Sequence, residues 1–482
     1  MYGSDFRMAD SLRLLRGGQM KTFPFFDNLG LKPLLPPKTE KPDDGCIRPH
    51  PDIFCFHAGD NRVNEQLALG VLHTLTIREH NRIATQLANL NPHWDDETLY
   101  QETRHIMAAL VQHITYNEFL PQLLGNKFLT EFDLKLKKSG YSDDYDPEVD
   151  ATVAAAFGAA AFRFGHSLLP NTLQRRSPTH KLIGERRLSE MLQQPYDLYK
   201  PKAIDEYLLG MISQAVQAMD HSVTTEVTNH LFQDPARDFG RDLASINIAR
   251  GREHGIPGYV QYRKLCGLND ITDWHHLLSF MPNSTVKQYL HLYRNLEDID
   301  LWSAGISEFP VNGSMVGAVF SCIIANTFKD LKVGDKFWYE NGGLPSSFTP
   351  SQLNEIRKYS LSRLLCNTGD NIQTIQPRAM LLPNYNTNSR VSCKSGEIPN
   401  IDLRFWRERL TSDRPYSEKP FIEEETDNLS EELNPEDEKP IGFDQVIANL
   451  IKGQNKSVYT LHLTDHHGVN NNLDQEKAVK LE

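Results

Sequence analysis

The sequence predicts a mainly α-helical fold with long irregular connections and few short strands. Three observations carry this reading. Apolar residues recur three or four apart through much of the chain, strictly alternating runs are scarce, and prolines cluster between the periodic stretches. Apolar residues make up 39% and charged residues 24% of the 482, which is enough for a packed core.

Residues 1–65 read as irregular, with Pro at positions 24, 33, 36, 37, 42, 49 and 51. Leu72, Leu75, Ile83, Leu87 and Leu90 then mark a first helix, stopped by Asn91-Pro92. A second fits Glu97–Phe119, with Ile106, Leu110 and Ile114 on one face and Pro121 beyond its end. After a polar stretch at 134–147, a third fits Pro147–His166. Proline suits a first turn, and Val153, Phe157, Ala160 and Phe164 form a stripe. Further helical patterns cover about 203–230, 256–266, 285–296, 313–331 and 350–365. Composition shifts beyond Trp406. Asp413–Glu482 holds 16 acidic and 7 basic residues, so most of the formal charge of −12 sits there and the body is nearly neutral. The run EEETDNLSEELNPEDEKP reads as solvated and disordered, and IGFDQVIANLIKG as a short helix within it. This places a folded domain at 1–412 and an acidic tail at 413–482.

A near-neutral body gives nucleic acid no basic face. No run of about 18 apolar residues marks a membrane span. The first 20 residues, with Arg7, Asp10, Arg13 and Arg16, lack the apolar core of a signal peptide. The six cysteines (Cys46, Cys55, Cys266, Cys322, Cys366, Cys393) fit no CxxC knuckle, and spacing alone leaves their pairing open. Sequons at Asn283, Asn312, Asn428 and Asn455 lend weak support to an extracellular setting.

Several runs carry residues suited to chemistry. His166, in AAAFRFGHSLLP, offers an imidazole amid Phe and Ala walls, a setting that suits haem iron; alone, it reads first as a helix-end histidine. In CFHAGDNRVNEQ a Gly-Asp turn presents Arg62 and Glu65 just before a helix. They suit charge stabilisation and anchoring, or else an ordinary helix N-terminus. In INIARGREHGIPGY, Asn247 can fix the tautomer of a ligating histidine, and Arg250 and Arg252 can meet carboxylates. The bland alternative is a polar loop before a helix at Ile256-Pro257. HTLTIREHNRIA reads as a polar helix face. His73 and His80 share a side, but no third metal ligand is suggested. His462, His466 and His467 form a weak tract without a rigid frame.

Taken together and in order, AGDNRVNEQ, HTLTIREHNRIATQLANLNPHWDDETLYQETRHI, HITYNEFLPQLLG, FRFGHSLLP, NIARGREHGIPGY and LSRLLCNTGD resemble the animal haem peroxidases of the peroxidase–cyclooxygenase superfamily, of the peroxidasin and chorion-peroxidase type. The resemblance spans roughly residues 1–412. It implies haem b, with His166 as the axial iron ligand and Asn247 holding its other ring nitrogen. It implies Arg62 as the distal arginine, Glu65 as a carboxylate able to form an ester with a haem methyl, and Arg163 and Arg250 beside the propionates. Gln66 stands where some members carry a methionine linked to a haem vinyl, so that link is expected to be absent. The resemblance also pairs Cys46 with Cys55, Cys266 with Cys322, and Cys366 with Cys393.

One part of the family pattern is not found. The W-G-Q-x-x-D-H-D type run, which brings the distal histidine, and the calcium loop that precedes V-Y-G-S have no counterpart, because these residues open at Met1-Tyr2-Gly3-Ser4. The distal base and the calcium site are therefore expected to be missing. The resemblance gives His57, five residues before Arg62, no role as a substitute base. The implied function is oxidation of phenolic donors by hydrogen peroxide in a secreted protein, with tyrosine cross-linking in matrix or eggshell as the model. A catalytically impaired scaffold used in adhesion or matrix binding is the alternative. Donor preference and oligomeric state are not legible.

Overall fold

The computed structural model describes residues 1–39, 45–48, 50, 52–234 and 236–408. The acidic tail, its expected helix, the three histidines near residue 465 and the sequons at Asn428 and Asn455 lie outside the described residues.

The amino-terminal stretch is not wholly irregular, because Asp5 caps a short helix α1 (Phe6–Leu12) by accepting from the Met8 amide. The first expected helix is α2 (Leu67–Leu90), which ends at Asn91 and buries Leu67, Val71, Leu75, Ile83 and Leu87. α3 (Asp96–Ile114) starts at an Asp95 cap. It does not stop before Pro121. A π-turn at Thr115–Phe119 leads straight into α4 (Leu120–Glu131), where Pro121 occupies the first turn and its missing N–H costs nothing. α4 is kinked at Gly125 (φ 70°), where a Cβ would collide with the Gly313 carbonyl.

The helix expected over Pro147–His166 is much shorter. It is confined to α5 (Ala155–Ala159), breaks at Ala160 (φ −138°, ψ −68°), and continues as a 3₁₀ segment, Ala161–His166. The tighter winding changes which face Arg163 and His166 present. An antiparallel hairpin, β1 (Thr172–Arg176) and β2 (Leu182–Arg187), follows. The pattern at 203–230 divides into α6 (Ala203–Met211) and α7 (Thr225–Thr228). The polar loop expected before Ile256 is instead helix α8 (Leu243–Glu253).

The remaining helices are α9 (Tyr259–Leu265), α10 (Asn283–Leu292), α11 (Leu301–Ser307), α12 (Ala318–Val333), α13 (Pro350–Ile356) and α14 (Leu361–Thr368). The last two replace one expected helix at 350–365. Ser360 interrupts it with extended backbone and caps α14 through its hydroxyl. β3 (Thr374–Ile375) and β4 (Val391–Ser392) form a second two-stranded ribbon.

Met1–Ile47 and Cys55–Leu410 form one compact unit. Its core packs α2 against α3, α6 and α14, with Ile106, Leu110, Tyr207 and Leu365 buried. Three disulfides, Cys46–Cys55, Cys266–Cys322 and Cys366–Cys393, staple it in the pairing the resemblance implies. A buried ion pair lies within this unit. Arg263 meets Glu308 at 3.0 Å, and Glu308 also accepts from the Tyr259 hydroxyl. Among the described residues, no helix is long and apolar enough to cross a membrane.

The run HTLTIREHNRIA, expected to be a polar helix face, is largely buried. Arg78 donates to the carbonyls of Pro33, Lys32 and Thr368 and pairs with Asp370. Arg82 clamps the fully buried Glu79. His80 lies between the Tyr2 hydroxyl and the Gly18 carbonyl. A carbonyl only accepts, so Nε2 of His80 carries the proton and Nδ1 accepts from Tyr2. These polar groups glue irregular segments to α2, and this explains how they escape solvent.

Candidate functional site

α8 begins at Asp242, whose carboxylate accepts from the Ala244 amide. Its one buried residue is Asn247, with no exposed surface. Asn247 Nδ2 lies 2.9 Å from Nδ1 of His166, and Arg163 Nη1 donates to Asn247 Oδ1 at 2.9 Å. Arg163 is itself fixed, since its Nε donates to the Gly158 carbonyl and its own carbonyl receives the indole N–H of Trp302. The break at Ala160 and the 3₁₀ turn bring Arg163 and His166 to the same amide.

Arg163 decides which way that amide points. A guanidinium only donates, so Asn247 turns its oxygen to Arg163 and its NH₂ to His166. Nδ1 of His166 then accepts and the ring proton sits on Nε2. An electrophile on Nε2 requires the opposite tautomer, with Asn247 turned over to present its oxygen. Burial, and then the charge of Arg163, lower the His166 pKa to about 4, with the Asn247 hydrogen bond opposing. The imidazole is therefore neutral at ordinary pH, the form that binds metals.

The second part is a 3₁₀ segment, Asn61–Asn64. Asp60 caps it, accepting from the Arg62 amide at 2.8 Å, and also holds the Arg62 guanidinium at 3.1 Å (Nε) and 2.9 Å (Nη2). These charge-assisted bonds lower the Asp60 carboxyl to about 2. Arg62 remains 74% exposed. Burial raises the Glu65 carboxyl, while attraction from Arg62 and Arg163 opposes the rise, so Glu65 stands within electrostatic reach of both arginines. Arg250 lies within such reach of Arg163 and also approaches Glu253 at 3.8 Å.

His166, Asn247, Arg163, Arg250, Glu65 and Arg62 thus form one neighbourhood. Arg252 turns away, to Asp300 at 2.7 Å. His73 is half-buried and its Nδ1 has no hydrogen-bond partner among the described residues; burial lowers its pKa to about 4. Asp60 and Trp302 were not singled out from the sequence. Asp60 lay in the Gly-Asp turn, where its reach to the residue two places on was the available signal. Nothing in the sequence pointed to Trp302, which arrives from α11.

The donor set suits haem. Among the described residues, no group of three or more His, Cys, Asp or Glu side chains is arranged to hold a metal ion. A single oriented imidazole suits a metal that arrives in its own macrocycle. Arg163 and Arg250 offer cations for carboxylate side arms. A cavity of about 260 Å³, lined by Tyr2, Asp5, Arg13, Tyr100 and Arg104, includes none of these residues.

Comparison with known proteins gives a consistent picture. The family model described as animal haem peroxidase matches residues 1–380. The chain is 40% identical to the human peroxidasin homolog over 384 residues, covering 78% of this chain and 25% of that protein. It is 36% identical to chorion peroxidase of Drosophila melanogaster, covering 84% and 49%. The chain thus spans half or less of the length of these relatives. Peroxidase A from Dictyostelium discoideum superposes with a TM-score of 0.66 at 30% identity, covering 79% of this chain and 69% of that one.

Proposed function

This chain belongs to the animal haem peroxidase family, and on that premise we propose that it holds haem on His166 and oxidises donor molecules with hydrogen peroxide. The observation that carries the reading is the buried Asn247 amide gripping both His166 and Arg163. The chemistry haem supplies is the two-electron reduction of peroxide and the return oxidation of a donor.

The chain's own residues do the rest. Asn247 fixes the plane of His166; with its amide turned over, its oxygen would accept from Nδ1–H and leave Nε2 free to hold the iron, and such a partner strengthens a ligand. Arg163 and Arg250 neutralise the propionates. Glu65 is the carboxylate available for an ester to a haem methyl, whereas Gln66 offers no thioether for a vinyl link. Arg62 stabilises negative charge on the departing peroxide oxygen, with Asp60 setting its direction. Arg62 supplies charge and not a base, because its bonds to Asp60 raise its pKa further. The base of the family comes from the G-Q-x-x-D-H run. Without it, these 482 residues should turn over about 10²–10⁴-fold more slowly than a relative that has it.

Chorion peroxidase, by its name, supports a peroxidase of an extracellular coat, and we take phenolic donors as the substrate class. Three disulfides support an oxidising, secretory compartment. We also propose that the catalytic domain ends near residue 412, that the acidic segment 413–482 is an appendage, and that the family's calcium site is missing from these residues.

The test is guaiacol oxidation by the purified, haem-loaded chain. Weak, saturable turnover that falls further in Arg62→Ala supports the proposal. Turnover equal to a full-length relative's refutes the role given to the missing base. Haem retention with no turnover favours the adhesive or matrix-binding scaffold.

A further inference from the structure

The hairpin β1–β2 carries four arginines, and three are matched by acids. Arg175 faces Glu206 at 3.4 Å, Arg186 faces Glu190 and Asp197, and Arg187 faces Glu226. Arg176 is different. It forms no ion pair among the described residues, and the same holds for Arg390, which immediately precedes β4. The acids on the neighbouring elements are engaged elsewhere: Glu185 with Thr172, Glu206 with Arg175, and Asp205 with the amides of Asp370 and Asn371.

The fold brings these two cations together around an imidazole. Arg176 donates to the His180 carbonyl at 2.9 Å and to Gln174 Oε1 at 2.8 Å. His180 sits at the hairpin tip in the left-handed region (φ 62°), an uncommon place for a non-glycine residue. Its Nε2 lies 2.8 Å from the Thr374 hydroxyl on β3. β3 pairs with β4, where Thr374 faces Ser392, and Arg390 reaches Ser213 Oγ at 3.2 Å beyond α6. Burial, and then Arg176, depress the Arg390 guanidinium; burial, and then Arg390, depress His180. The three groups therefore lie within electrostatic reach of one another, with no ion-pair partner for either arginine among the described residues. Nε of Arg176, Nε of Arg390 and Nδ1 of His180 are all buried without a hydrogen-bond partner among the described residues. A buried polar group left unpaired is costly, so three within reach of one another call for an acceptor.

We propose that Arg176, Arg390 and His180 form a binding site for a tetrahedral oxyanion, a sulfate or phosphate group, separate from the His166 neighbourhood. The donors come from three elements rather than from one planar fork, which suits a tetrahedral acceptor better than a carboxylate. The source is either the free ion or an ester on a saccharide.

The test is calorimetric titration of the full chain with inorganic sulfate, inorganic phosphate and N-acetylglucosamine 6-sulfate, at ionic strength fixed with chloride. One saturable site is expected for at least one probe. Tighter binding of the sulfated sugar identifies an ester, and tighter binding of an inorganic ion identifies the free ion. Arg176→Gln with Arg390→Gln should weaken binding at least tenfold, while Arg187→Gln, whose arginine is paired with Glu226, leaves it unchanged. Removing two repelling charges should leave the melting temperature the same or higher. Should that double variant not fold, His180→Asn, which tolerates the left-handed backbone, should still weaken binding at least threefold. Absence of saturable binding to the unaltered chain overturns the proposal. So does equal weakening in Arg187→Gln.

Discussion

The two halves of the proposed haem neighbourhood are built in opposite ways. On the His166 side, a fully buried amide is held from both directions, and one of its partners, Arg163, is fixed by a further hydrogen bond to the Gly158 carbonyl. On the Arg62 side, an exposed guanidinium leans on one carboxylate two residues away. Removing a member of the first leaves buried polar groups unpaired. Removing a member of the second leaves groups that water can satisfy. The difference teaches that positioning is a matter of packing for the imidazole and of local turn chemistry for the arginine.

The sharpest separation should come from Arg62→Ala. Turnover of guaiacol is expected to fall by about 10²–10³-fold, as when a charge-stabilising donor is removed. The melting midpoint should barely move, since an exposed ion pair contributes about 0–1 kcal/mol. A large loss of stability would break the comparison. Asn247→Ala should act the other way, weakening haem binding by about 10–100-fold and destabilising the haem-free chain by about 1–3 kcal/mol. Haem titration and denaturant melts measure the two.

Acid should dismantle the halves in sequence. His166 has a folded pKa of about 4, below its ordinary value, so the unfolded chain binds more protons between roughly pH 6.5 and 4. Its contribution to stability is full above that window and is lost as pH falls through it. Asp60 also has a lowered pKa, about 2, so its contribution is lost only at lower pH, on the way from its ordinary range to about 2. Histidine and carboxylate NMR titrations should show the two midpoints in that order. The smallest effect is a tautomer. The haem-free chain should show the His166 proton on Nε2 by nitrogen NMR, and Arg163→Gln should relax that preference.

Long periodic helices were legible. α3 shows its stripe because one face packs on the core and the other meets water, and α2 shows an apolar stripe although much of its polar face is buried as well. α8 was not legible, since only Asn247 is buried along it and its sequence carries no apolar stripe. The same polarity equips it for the site, so the feature that hid the helix is the one that gives it a role. The helix ending at His166 was overextended because an alanine-rich run conceals a change of winding at Ala160. The division of 203–230 has a packing component. Gly210 presses on the Gln174 carbonyl, a long-range contact that no local pattern reports. The buried role of Arg78, Glu79 and His80 was likewise hidden, because their partners are carbonyls and hydroxyls from distant irregular segments. The candidate residues His166, Asn247, Arg62 and Glu65 were found only because several motifs recurred in family order; singly, each had a blander reading.

The most direct test is the absorption spectrum of the purified chain titrated with haem, compared between His166→Ala and His73→Ala. The account predicts a Soret band for the unaltered chain, its loss in His166→Ala, and its retention in His73→Ala. An unchanged haem spectrum in His166→Ala would contradict it.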